Sequence, residues 1–338
     1  MVDTLWCSDF SWYVCGYWGG WVKCRFPGMA CLFRIFFLPS TGLAIAYILL
    51  CVILAIYAAS AGLSLVFVPV SKADCTGSCT TLHCCDYDAL ANLPGITVTH
   101  VPFTWQGVQL DAYLLQNNTV PSTGATHPLH VLYNHGSGWN VAAQYRLTRY
   151  KQLLARGNMK LFTWDYPGYG DSQGSLSVAG VINSGAGAYN AFSELLGNST
   201  ASMVMLGRSM GGPVSAHTIQ GLPRPAQPAG LVLQSTFADF DQNLRALYPV
   251  AGWIIAAVLD VDITPEEWLS QYQGCVFSSI SKSDEWVDYS QGVQLYDGIT
   301  MKNTQCSTFW PITDSAHDDD MKPGQVQALH TWMDQPEL

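Results

Sequence analysis

From His130 onward, short apolar runs of strand length alternate with segments of helical period. His130–Asn134, Lys160–Trp164, Met203–Leu206, Gly230–Gln234, Cys275–Ser279 and Ser307–Ile312 predict strands, and Gln144–Ala155, Gly180–Leu196, Pro213–Gln220 and Gly324–Met333 predict helices. Such alternation implies an α/β fold with a mostly parallel central sheet covered by helices on both faces. Upstream, Ile96 to Leu115 alternates as two strands around Gln106-Gly107, which predicts an antiparallel edge hairpin. Sites in sheets of this kind gather at the carboxyl ends of the strands, so chemistry is sought there.

A second pattern precedes this domain. No charged residue occurs from Ile35 to Ser71, and Leu43 to Val68 is almost wholly apolar, long enough to cross a hydrocarbon core of about 30 Å. It predicts one transmembrane helix within 41–70, after a tail at 1–40 and before a cysteine-rich linker at 71–94; the α/β domain takes 95–338, with a short cap at about 236–270. Lys23, Arg25 and Arg34 lie before the span and only Lys72 just after it, which puts the tail in the cytoplasm and the domain in the lumen or outside the cell. A cytoplasmic domain is the alternative topology. A signal peptide cleaved near Ala59-Ser60-Ala61 is the competing reading of the span, opposed by the long segment before it.

At 338 residues and 49% hydrophobic content, the chain accommodates one large domain and an N-terminal extension. Its formal net charge of −10 disfavours nucleic acid and polyanionic partners. Of 11 cysteines, Cys7, Cys15, Cys24 and Cys31 sit in the aromatic tail, where acylation is one use for them. Cys75, Cys79, Cys84, Cys85, Cys275 and Cys306 follow the span and in a lumenal domain would form disulfides of unspecified pairing. Zinc held by the first four with His83 is the rival, weakened by the lack of two separated Cys-x-x-Cys pairs. Sequons at Asn117-Asn118-Thr119 and Asn198-Ser199-Thr200 suit the lumenal placement.

The residues that carry chemistry fall at strand ends. Gly207-Arg208-Ser209-Met210-Gly211 joins the Met203 run to a helical segment, the strand, sharp turn and helix that expose a serine nucleophile. Gly170-Asp171-Ser172-Gln173-Gly174 fits the same pattern but follows the turn formers of Asp165-Tyr166-Pro167-Gly168-Tyr169, so Ser172 reads as loop. After the Cys275 strand comes Asp284, with Glu285 and Asp288 as rivals for the acid role; after the Ser307 strand comes His317. Asn134-His135-Gly136-Ser137-Gly138-Trp139 follows the His130 strand, where the Ser137 amide, with that of Met210, is placed to stabilise an oxyanion. A plain strand-to-helix loop is the bland alternative.

Elbow, His-Gly loop, Asp165–Gly170 turn, acid and Ser315-Ala316-His317-Asp318 turn together resemble the small-cap α/β-hydrolase domain proteins of the serine aminopeptidase S33-like kind. That branch contains membrane-anchored lysophospholipid and monoacylglycerol lipases and protein depalmitoylases. The likeness covers roughly 95–335 and departs at Ser279-Ile280-Ser281, where relatives carry His-Gly before the acid. It implies a triad of Ser209, Asp284 and His317, an acyl-enzyme intermediate, and no metal or organic cofactor. The expected substrates are acyl esters of lipids beside a membrane, with Trp139, Tyr248 and Trp253 contacting them and Leu247–Leu259 either guiding the acyl chain or serving as a buried helix. A palmitoyl-protein thioesterase and a non-catalytic interaction protein on the same fold are the alternatives.

Overall fold

The computed structural model describes residues 13–17, 20–24, 67–75, 84–119, 127–198, 202–248, 252–253, 256–257, 262–335 and 337–338. Most of the expected tail and span, Cys79, His83, Ile254, Ile255 and the sequon residues 199–200 lie outside the described residues. Among the described residues no helix is long and apolar enough to cross a membrane.

A two-stranded antiparallel ribbon pairs β1 (Tyr13–Tyr17) with β2 (Gly20–Cys24). The main sheet has eight strands, in spatial order β3 (Thr97–His100), β6 (Ala112–Asn117), β8 (Met159–Trp164), β7 (Leu129–Asn134), β9 (Met203–Arg208), β10 (Gly230–Gln234), β11 (Cys275–Ser281) and β12 (Thr308–Ile312). From β8 to β12 all neighbours are parallel, and β6 is antiparallel to both β8 and β3. The helices are α1 (Tyr87–Ala91), α2 (Gln144–Leu154), α3 (Val178–Leu195), α4 (Gly211–Gly221), α5 (Phe240–Leu247), α6 (Pro265–Trp268), α7 (Tyr289–Gly298) and α8 (Pro323–Met333).

The apolar runs become central strands because both faces are covered. Successive residues alternate between two cores, as strand geometry requires. Leu132, Phe162, Met205, Leu231 and Val276 meet α3 and α4, while Val131, Leu161, Val204, Val232 and Phe277 meet α2 and α8. Every residue of β9, β10 and β11 is buried. Truncating one of their large side chains to alanine removes packing worth about 2–5 kcal/mol.

Two expectations need correction. The predicted edge hairpin is split: Gln106 and Gly107, at φ of 48° and 80°, turn a small separate ribbon of β4 (Phe103–Trp105) and β5 (Val108–Leu110), while β3 and β6 carry the pairing into the main sheet. Pro102, which has no N–H to donate, interrupts the ladder between β3 and β4. The end of the span and the linker also belong to the domain. Phe67, Cys85, Leu90 and Leu93 are buried in its cores, and bridges join Val68 to Gly138, Ser71 to Gly170 and Cys85 to Ala143. Any membrane crossing therefore ends before Phe67.

Cys75 pairs with Cys85 and Cys275 with Cys306, and Cys84 is also disulfide-bonded. These bonds remove Cys75, Cys84 and Cys85 from the alternative zinc set. The Cys275–Cys306 bond closes a separation of 31 residues that contains the acid turn. Its removal in a Cys275→Ser, Cys306→Ser variant is expected to lower unfolding free energy by roughly 3–4 kcal/mol, measured by denaturant titration.

Candidate active site

Ser209 ends β9 in the left-handed region, at φ of 52°. Only small neighbours fit such a turn. A Cβ on Gly207 would overlap the Gly211 carbonyl, and one on Gly211 would overlap the carbonyl of Asn134. The serine is half-buried and lines a cavity of about 700 Å³ together with His317. Ser172 differs in every respect: its hydroxyl donates to the Asp165 carbonyl at 2.6 Å and accepts from the Asp111 amide at 2.8 Å, a fully used turn residue.

The structure brings Asp284 and His317 together. His317 Nδ1 lies 2.8 Å from each Asp284 carboxylate oxygen, and the Asp284 side chain is inaccessible to solvent. The amides of Trp286 and Val287 donate to Asp284 Oδ1 at 3.0 and 2.9 Å. Burial alone would raise this carboxyl, but the hydrogen bond and charge of His317 with the two amides outweigh it and hold it below the usual carboxylate range.

Glu285 and Asp288 are used elsewhere. Glu285 accepts the backbone amide of His317 at 3.0 Å, fixing the histidine turn rather than the ring. Asp288 is the N-cap of α7 and accepts from Ser290 N at 2.9 Å. Ser281, within the segment where relatives carry His-Gly, joins the two turns: its hydroxyl accepts from Ser283 N at 3.1 Å and Ser315 N at 3.0 Å.

The loop after β7 presses against the serine, with Gly136 placed so that a Cβ would stand 3.2 Å from Ser209 Cβ. In the Gly136–Ser137 peptide, the carbonyl accepts from Arg146 Nη2 at 3.0 Å. The opposed Ser137 N–H of that trans unit is thereby aimed away from Arg146. The Ser209 carbonyl likewise accepts from Thr236 Oγ1 at 2.8 Å and Gly212 N at 2.9 Å, which turns the Met210 N–H the other way. Among the described residues neither amide donates to another backbone group. Tyr169 fixes the loop further by donating to the Ser137 carbonyl at 2.6 Å. Below it, buried Asp165 accepts from Val141 N at 2.9 Å and Tyr87 OH at 3.1 Å, and burial pushes its carboxyl up to about 7.

Trp139 and Tyr248 line the cavity. Trp253 is not among the lining residues; it is exposed, with the Arg245 guanidinium over its ring at 3.8 Å. Leu247 reaches the cavity, while much of Leu247–Leu259 lies outside the described residues. Arg208 is a contributor that sequence reasoning passed over. Its guanidinium donates to the His317 carbonyl and to Asp318 Oδ1, the latter at 3.1 Å, so the residue before the serine holds the turn that carries the histidine.

This architecture matches solved structures. An esterase of Pyrococcus furiosus superposes with a TM-score of 0.60 at 14% identity, covering 79% of this chain and 96% of that one. An acetyl xylan esterase of Paenibacillus gives a TM-score of 0.54 at 13% identity, covering 71% of this chain and 84% of its own. The chain has the α/β-hydrolase fold. Residues 127–272 of this chain match the serine aminopeptidase S33 family model. Among curated relatives, the lysophosphatidylserine lipase ABHD12 of Danio rerio is 25% identical over 51% of this chain and 47% of its own. Protein bem46 of Schizosaccharomyces pombe is 30% identical over 48% of this chain and 50% of its own. YfhR of Escherichia coli K12 is 25% identical over 56% of this chain and 64% of its own. The match thus spans less than two thirds of each of these relatives.

Proposed function

We propose that the chain is a membrane-anchored serine hydrolase that cleaves acyl esters of lipids, of lysophospholipid or monoacylglycerol type. The observation that carries the reading is Ser209 at a positive-φ elbow, sharing one cavity with a His317 whose Nδ1 faces a buried carboxylate at 2.8 Å. His317 takes the Ser209 hydroxyl proton as the oxygen attacks the acyl carbonyl, and Asp284 stabilises the imidazolium. The Ser137 and Met210 amides hold the oxyanion. Collapse expels the alcohol, protonated by His317; water, deprotonated by the same ring, then releases the fatty acid.

The apolar cavity wall of Phe237, Phe240, Leu244 and Val287 supports an acyl substrate, as do the esterase and lipase names among the relatives. The deciding experiment is a hydrolysis panel of lysophospholipids, monoacylglycerols and acyl thioesters with full-length protein. Ester turnover is expected to exceed thioester turnover, and the reverse order would replace the reading by a palmitoyl-protein thioesterase.

The apolar stretch before Phe67, the basic residues that precede it and the disulfides support a lumenal domain. In sealed microsomes the domain is then expected to resist protease until detergent is added. Asn198 is exposed, whereas Asn117 Nδ2 donates to the Leu154 carbonyl at 2.8 Å. A glycan is expected at Asn198 rather than Asn117, read as a mass shift lost in Asn198→Gln. Digestion without detergent and an absent glycan would place the domain in the cytoplasm.

A further inference from the structure

We propose that the mouth of the Ser209 cavity is a bilayer-docking surface, held at the membrane by the chain itself, so that substrate enters from the lipid leaflet. The proposal rests on the membrane-anchored hydrolase reading and adds where the site stands relative to the lipid. The apolar run that begins at Leu43 ends at Val68, and Val68 is itself a wall residue of the cavity. Phe67 is anchored in the core at 1% exposure. Val68 N donates to the Ser137 carbonyl at 3.0 Å and Trp139 N donates to the Val68 carbonyl at 2.7 Å, so the run leaves directly onto the loop beside Ser209. Among the described residues, the end of the run is itself core at Phe67 and cavity wall at Val68.

The mouth carries exposed aromatic and aliphatic side chains beside the exposed acids Glu285 and Asp319. Among the described residues, Val68, Tyr248 and Trp286 both line the cavity and stand 48%, 41% and 51% exposed. Left in water they would form a costly apolar collar; Trp and Tyr are the side chains that settle at the level of lipid headgroups. Trp253, 42% exposed under Arg245, adds an aromatic face whose overlying cation is paired with Asp241 at 3.5 Å. Gly252, its neighbour, donates to the Tyr248 carbonyl at 2.6 Å, which ties this pair to the collar. The occupant is a phospholipid surface, since the chain delivers that surface to the collar and leads from it into an apolar cavity.

The test uses full-length protein in phosphatidylcholine vesicles carrying a long-chain monoacylglycerol. A flexible Gly/Ser insertion of about twenty residues immediately before Phe67 adds a root-mean-square reach of about 25 Å. Hydrolysis of the vesicle ester is expected to fall roughly tenfold or more as the effective concentration of lipid at the mouth drops. Fluorophosphonate labelling and turnover of a short soluble ester should stay at the parent's level. An unchanged vesicle rate would overturn the docking proposal. A photoreactive benzophenone side chain replacing Trp253 supplies a readout independent of hydrolysis: adducts to phospholipid are expected, and adducts only to a second copy of the chain, or none, overturn it. Lipid adducts from a protein that neither labels nor hydrolyses would retain the docking surface while overturning the hydrolase reading.

Discussion

Ser209→Ala is expected to abolish fluorophosphonate labelling and to reduce ester hydrolysis by about 10⁶-fold, leaving whatever the oxyanion donors and binding supply. The loss should leave unfolding free energy nearly unchanged, because alanine at the same positive φ carries the same backbone cost and the Ser209 backbone bonds to Gln234, Gly212 and Thr236 survive. Ser172→Ala should show the opposite profile. Labelling and turnover persist, while stability falls by about 1–3 kcal/mol because the Asp111 amide loses its acceptor. Labelling that survives in Ser209→Ala would overturn the nucleophile assignment, and the paired alanine variants distinguish this from general disruption.

The second large effect concerns the acid. Asp284→Asn is expected to lower kcat by roughly a thousandfold or more, since the amide cannot stabilise the imidazolium and favours the wrong ring tautomer. His317→Ala should cost at least as much. Glu285→Gln keeps an acceptor for the His317 amide and should have a small effect by comparison, and Asp288→Asn keeps an N-cap. Steady-state kinetics on a soluble ester separates these outcomes. Near-parental turnover in Asp284→Asn with loss in Glu285→Gln would transfer the acid role.

The central sheet was legible in the sequence because strands buried on both sides leave continuous apolar runs such as Met203–Leu206. The elbow was legible because few residues besides glycine fit at 207 and 211. Three acids within Asp284–Asp288 were not separable by order alone. Their roles depend on where the turn after β11 aims each side chain: onto the imidazole, onto a backbone amide, or onto the start of α7. The α5 helix was missed although its signal was present, an N-cap Asp239 accepting from Gln242 N at 2.8 Å. The attachment of residues 67–75 and 84–94 was illegible for another reason. Their partners, Gly138, Gly170 and Ala143, lie far along the chain, and nothing in local periodicity encodes such pairings.

The φ of 52° at Ser209 has a thermodynamic consequence of its own. An L-residue in the left-handed region costs roughly 1–2 kcal/mol that glycine largely escapes. The position proposed for the nucleophile is therefore one where a residue with no side chain would make a tougher protein. Ser209→Gly should melt later than the parent while being catalytically dead, so any screen of this domain for heat resistance alone will drift toward losing its chemistry.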